Sequence, residues 1–159
     1  PVKSNVVLSG SQLFGVLETA DGDKLTAFSS QPVAIVKAVA LESDFVSGPW
    51  ATQAGILVAT SNGKLTCYED DLSLKWSAEL QSVKFACAPA LTANANGRLM
   101  LCYQNGNVVW LAAETGKLIS KVDLGQPINH RPLLKGDKMY FGGMDGTIHI
   151  VDQPKQGIQ

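Results

Sequence analysis

Short apolar stretches alternate with turn dipeptides along the chain. "QLFGVLET" precedes Asp21-Gly22, "GILVATS" precedes Asn62-Gly63, "RLMLCYQ" precedes Asn105-Gly106, and "KMYFGGM" precedes Asp145-Gly146. After each turn comes a second apolar stretch: "DKLTAF", "KLTCY", "NVVWLA" and "TIHIVD". Several of these alternate, as Thr147-Ile148-His149-Ile150 does, and a period of two is that of a strand with two different faces. An Asx-Gly pair between two such runs predicts a β-hairpin closed by a type I′ turn, whose two central residues take positive φ. Third strands are expected at 32–41, 73–80 and 117–124. No segment carries an apolar stripe at helical spacing over ten residues, so the chain reads as all-β.

The pattern is a repeat. Gly22, Gly63, Gly106 and Gly146 follow one another at intervals of 41, 43 and 40 residues. A further element carries Pro49, Pro89 or Pro132, with Val6 near the matching place in the first unit. Proline suits the start or edge of a strand, because it cannot donate to a ladder in the middle. Units of about forty residues holding four short antiparallel strands are the signature of β-propeller blades. One blade cannot cover its own faces and is stable only when stacked on the next. The expectation is one repeat domain, 1–159, with blades at about 1–41, 44–81, 83–125 and 126–159. The last blade reaches its third strand at Asp152, and "QPKQGIQ" beyond it is too polar and short to count as a fourth.

Composition narrows the partners. The chain has 159 residues, 45% of them hydrophobic and 17% charged, which is globular and long enough to bury a core. Its formal net charge of -1, with lysine and arginine scattered, argues against nucleic acid or an anionic membrane surface. "PVAIVKAVAL" is too short to span a bilayer and is interrupted by Lys37, so no transmembrane segment is expected. A chain that begins at Pro1 is expected to be a processed form or an excised domain. Cys67, Cys87 and Cys102 all sit in apolar strand patterns and read as small buried thiols, with no Cys-x-x-Cys spacing for zinc or redox chemistry.

The segment from Glu114 to Asp152, "ETGKLISKVDLGQPINHRPLLKGDKMYFGGMDGTIHIVD", resembles the repeat of pyrroloquinoline-quinone-like propellers, the quinoprotein alcohol dehydrogenase-like family. The resemblance is strongest from Gly55 to Asp152. In that family an outer-strand tryptophan docks between blades. Trp76 matches that place, and Lys37 and Ser120 hold its counterparts. Thr115-Gly116-Lys117 matches the family's Thr-Gly-Lys turn. Family rings commonly have seven or eight blades, so about four blades imply a partial ring. Such a ring has two uncovered blade faces. It would be a fragment of a longer propeller, half of an eight-bladed ring built from two copies, or a small ring closed alone. The resemblance also implies an alternative function: a degenerate subunit or fragment of a quinoprotein-like dehydrogenase, or a ligand- or carbohydrate-sensing module. It leans weakly toward the bacterial cell envelope.

Candidate chemistry is sparse. The family's quinone and calcium site uses acidic residues, an asparagine and a vicinal disulfide. This chain has no adjacent cysteines, and Glu69-Asp70-Asp71 lies at a hairpin end. No cofactor and no metal are expected, and no catalytic residues are assigned. His149 alternates with Ile148 and Ile150 and should point away from their side. Asn129, His130 and Arg131 form the densest polar group, at the expected start of the innermost strand of the last blade. Their counterparts are the smaller Val46-Ser47-Gly48 and Ala86-Cys87-Ala88, so they could face a channel or a partner's carboxylate. Gly22, Gly63, Gly106, Gly146, Pro49, Pro89, Pro132 and Trp76 are read as structural positions of the repeat. The expectation is a non-catalytic propeller domain that binds another protein, or a second copy of itself, as a scaffold.

Overall fold

The computed structural model describes residues 1–80, Phe85, 97–153, and the backbone of Ala90 and Leu91. These residues form fifteen strands and no helix. The first sheet holds β1 (Val7–Ser9), β2 (Gln12–Thr19), β3 (Gly22–Ser30) and β4 (Val33–Ala40). The second holds β5 (Phe45–Thr52), β6 (Gly55–Thr60), β7 (Lys64–Tyr68) and β8 (Leu74–Glu79). The third holds β9 (Ala90–Leu91), β10 (Arg98–Cys102), β11 (Asn107–Ala112) and β12 (Leu118–Asp123). The fourth holds β13 (Leu133–Lys135), β14 (Lys138–Gly142) and β15 (Ile148–Asp152). Each is an antiparallel meander in chain order, as the spacing of hairpin signals predicts. Cys87, Pro89 and the segment from Pro154 to Gln159 lie outside the described residues.

Contacts divide the chain into two compact units, 1–82 with 114–116, and 83–113 with 117–159. In the first unit, Phe14, Val16, Leu25 and Ala27 of the first sheet pack on Ile56, Val58, Tyr68 and Leu72 of the second. In the second unit, Met100, Cys102, Val108 and Trp110 of the third sheet pack with Ile128 and with Met139 and Phe141 of the fourth. Alternate residues of a strand make each core, because period two sends every second side chain to the same face.

The hairpin turns differ from the type I′ expectation. No Asx residue of the four turns has positive φ; the glycine alone does, at 108° for Gly22, 78° for Gly63, 89° for Gly106 and 82° for Gly146. In the last three hairpins the glycine N–H closes a four-residue turn onto Thr60, Tyr103 or Gly143. The Asx side chain then accepts the N–H two residues on: Asn62 from Lys64, Asn105 from Asn107, Asp145 from Thr147. The same dipeptide therefore serves a turn in which glycine takes the left-handed position and the Asx oxygen caps the following strand.

A β-bulge recurs at one place in three sheets. The outer-strand register shifts after Ala27, Cys67 and Trp110, the residues that pair with Lys37, Trp76 and Ser120. The three positions matched by counting along the sequence thus share one register. Pro132 immediately precedes β13, as a strand-start proline should. Pro49 instead lies inside β5, where pairing skips from Ser47–Ala59 to Trp50–Leu57. That interruption removes the ladder bond that proline could not make.

Asp23 joins the first two sheets. Its carboxylate, 2% exposed, accepts the Phe45 N–H at 2.8 Å and pairs with the Lys3 ammonium at 2.9 Å. Those partners, the Phe45 amide first, hold its carboxyl below the usual carboxylate range. A depressed carboxylate stabilises the fold above its unfolded pKa of about 3.9 and loses that contribution as pH falls through the folded value. Asp23→Ala is expected to cost about 2 kcal/mol at neutral pH, the magnitude for hydrogen bonds to a charged group. The gap from wild type should close in acid below the unfolded carboxylate pKa. Urea titrations of both proteins across pH check this; a gap that stays constant through the acid range contradicts it.

Candidate interaction surfaces

The residues singled out from sequence do not converge on one pocket. Asn129, His130 and Arg131 lie in the segment before β13, all exposed, between buried Ile128 and Pro132. The Asn129 amide reaches the Met144 sulfur at 3.4 Å, and Met144 is itself exposed. Trp76 is buried on β8, against the Gly116 backbone. Cys67 and Cys102 are buried, as their strand context suggested, and burial pushes the Cys67 thiol up to about 12.

Sequence reasoning missed two polar networks. Lys75 meets Glu114 at 2.9 Å and the Ala54 carbonyl at 3.0 Å, with Glu69 at 3.6 Å. It ties the Glu114–Gly116 tip to the second sheet and, through Glu114 chiefly, its ammonium is held above the ordinary lysine value. His149 pairs with Gln126 and, at 2.7 Å, with Thr147, whose hydroxyl meets Asp145 at 2.6 Å. Neither set has a sequence signal beyond isolated charged or polar residues, because the partners are brought together by hairpin geometry.

The most distinctive surfaces are apolar. The second and third sheets are buried on both faces: Ile56 and Val58 on one side and Leu57 and Leu65 on the other, then Met100 and Val108 against Leu99 and Leu111. The first and fourth sheets each pack one face in a core and show large exposed apolar side chains on the other, although Gly15 and Thr26 on that side of the first sheet are buried. On the first, β2 turns Leu13 and Leu17 away from the core, and β3 turns Phe28 the same way. Register adds Leu8, 62% exposed, and Ile35, 61% exposed, to that face. On the fourth sheet Met139 and Phe141 face the third, while Tyr140 shares the opposite face with Leu133, Ile148 and Ile150. There Ile148 is 73% and Ile150 61% exposed. His149 does lie opposite the two isoleucines, as alternation predicts. The half-buried position is the histidine's, however, and the isoleucines face solvent.

The described residues contain no cluster of three or more metal-ligating side chains and no helix long and apolar enough to cross a membrane. No protein-family model matches the chain, and no curated protein sequence does. Solved structures do match. BamB from Moraxella catarrhalis is similar over 93% of this chain and 45% of its own, with a TM-score of 0.68 and 17% identity. The C-terminal WD40 domain of Sif2 is similar over 97% of this chain and 46% of its own, with a TM-score of 0.66 and 12% identity. BBS1N, crystallised in complex with ARL6DN, is similar over 96% of this chain and 47% of its own, with a TM-score of 0.64 and 14% identity. The chain is an all-β protein of the β-propeller class, built of antiparallel sheets of three or four strands. It spans slightly under half the length of these propellers.

Proposed function

We propose that this chain is one non-catalytic repeat domain of the pyrroloquinoline-quinone-like propeller type, acting as a protein-binding scaffold. The observation that carries the reading is the pair of exposed apolar sheet faces, centred on Leu8 and Ile35 in the first sheet and on Ile148 and Ile150 in the fourth. Contiguous apolar surface of this kind marks interaction sites, because leaving it in water forgoes burial worth about 25 cal/mol per Å². That BBS1N was crystallised with a protein partner supports a scaffold use of the fold. In this reading Asn129, His130 and Arg131, beside exposed Met144, give a polar rim to the fourth-sheet surface, where charge selects partners more than it adds affinity. The partner is another protein or a second copy of the chain.

The reading predicts that a photo-crosslinking residue at position 150 or 35 yields covalent adducts of protein mass when the native host is irradiated. A chain recovered only unmodified from both positions would remove the scaffold function.

A further inference from the structure

Resting on the scaffold reading, we infer that the outer edge of the first sheet, strand β4, takes an extended apolar segment of the partner protein as a fifth strand. The backbone carries the argument. Leu41 donates to the Asp23 carbonyl at 2.9 Å, and before it Ala40 pairs with Lys24, Val39 with Leu25 and Ala38 with Thr26. Antiparallel pairs alternate between bonded and non-bonded positions. Val39 therefore exchanges bonds with β3, while Ala38 and Ala40 turn their N–H and C=O groups away from it. Among the described residues no strand lies beyond β4. Backbone donors and acceptors left in a row at strand spacing are a template for another strand. A sheet stacked on either face of the first leaves this edge open.

The outer strands of the first three sheets are not alike. β8 and β12 are six residues long, and each carries two charges: Lys75 and Glu79 on one, Lys121 and Asp123 on the other. Short, charged edges resist pairing with a second chain. β4 is eight residues long, carries one charge and exposes seven of its eight residues. That charge is turned aside, because the Lys37 ammonium meets the Asp71 carbonyl in the β7–β8 turn at 2.6 Å. Val36 stays 55% exposed although the second sheet already reaches its near neighbours Lys37 and Val39. The guest is a different protein. Val36 is the extra residue of the β-bulge, at the middle of β4. Two copies of β4 paired antiparallel over their length would set bulge against bulge and crowd two Lys37 side chains of like charge. A guest strand without a bulge or a central lysine avoids both. Ala34, Ala38 and Ala40 are small and leave room beside them for large side chains. The guest is thus an uncharged extended segment with bulky apolar residues at alternate positions.

A phage-displayed library of random segments of about ten residues, a generous strand length, is selected on the purified chain, and the enriched segment is synthesised as the probe. Its sequence is expected to alternate bulky apolar residues. Amide exchange followed by NMR reads the contact. The Ala38 and Ala40 N–H groups should exchange fast in the free chain and about tenfold or more slowly with the peptide in excess. Ala38→Pro removes the outward donor but no bond to β3, and should weaken the peptide about tenfold, whereas Ala38→Val keeps the N–H and should not. Should Ala38→Pro lose its β-sheet circular dichroism, exchange in the wild-type chain decides alone. A library that enriches nothing overturns the inference. So does a bound peptide that leaves both amides exchanging as before, or equal weakening by the two variants, since the contact then lies in side chains on a face. Amides already protected in the free chain overturn it too: a two-chain mass in sedimentation then assigns the edge to a second copy, and a single-chain mass to another segment of this chain. Each of these failures leaves the scaffold function intact if position 150 or 35 still crosslinks to protein.

Discussion

Gly106→Ala will unfold this protein far more readily than Gly146→Ala, although the two glycines close equivalent hairpins. Their φ values are close, 89° and 82°, so alanine suffers comparable left-handed strain at both, about 1 to 2 kcal/mol. The surroundings differ. A Cβ on Gly106 would stand 2.1 Å from the Gln126 carbonyl oxygen, whereas one on Gly146 meets nothing within 4 Å. The Gln126 backbone cannot swing away cheaply, because Ile128 donates to the Gln104 carbonyl and Leu124 to that of Gly106 itself. Alanine at 106 must therefore push apart the strand-linking segment, at a cost of about 4 kcal/mol, a large fraction of a domain's total stability. Guanidinium titrations of the two variants and wild type make the comparison. Equal losses at 106 and 146 would mean that the close approach of Gln126 carries no weight.

Trp76 and Gly116 are expected to behave as one unit. Replacing a buried tryptophan with alanine costs about 3 to 5 kcal/mol, the transfer term plus the cavity left behind. Gly116 sits over the indole with φ 67°, and a Cβ there would come within 2.4 Å of the ring's Cε3. Gly116→Ala alone should cost about 3 kcal/mol, because the indole is held in the second sheet by its β8 register with Cys67. In the Trp76→Ala background the clash is gone and only the backbone strain remains, about 1 kcal/mol. The double-mutant cycle should thus show a coupling of about 2 kcal/mol. Additive losses would show that the glycine and the indole are energetically independent, whatever their separation.

Strands and hairpins were legible because their signals are local. Alternation sets which residues share a face, and an Asx-Gly pair marks a reversal wherever it falls. The register of Lys37, Trp76 and Ser120 was legible too, because a repeated unit lets one blade be counted against another. The kind of turn was not: a left-handed glycine after a right-handed turn and a type I′ turn call for the same two residues. Leu72 was also beyond reach. It is buried in the first unit's core with φ 61°, a backbone state that leucine avoids unless its surroundings hold it there. Its place in the core shared with the first sheet is a long-range fact.

The candidate surface divides the same way. That Ile148 and Ile150 lie together, opposite His149, follows from a period of two and from nothing else in the molecule. Whether that side is core or surface depends on a neighbouring sheet about forty residues distant in the chain. Burial is a property of what stands against a face, and no local pattern encodes it. In the middle sheets β6 and β10 are buried on both faces. The first and fourth sheets instead show large exposed apolar side chains on one face, Leu8 and Ile35 on the first and Ile148 and Ile150 on the fourth. The amino-acid order thus made every blade two-faced, and only the packed structure decided which apolar faces are exposed, because hydrophobic surface is satisfied by proximity in space rather than along the chain.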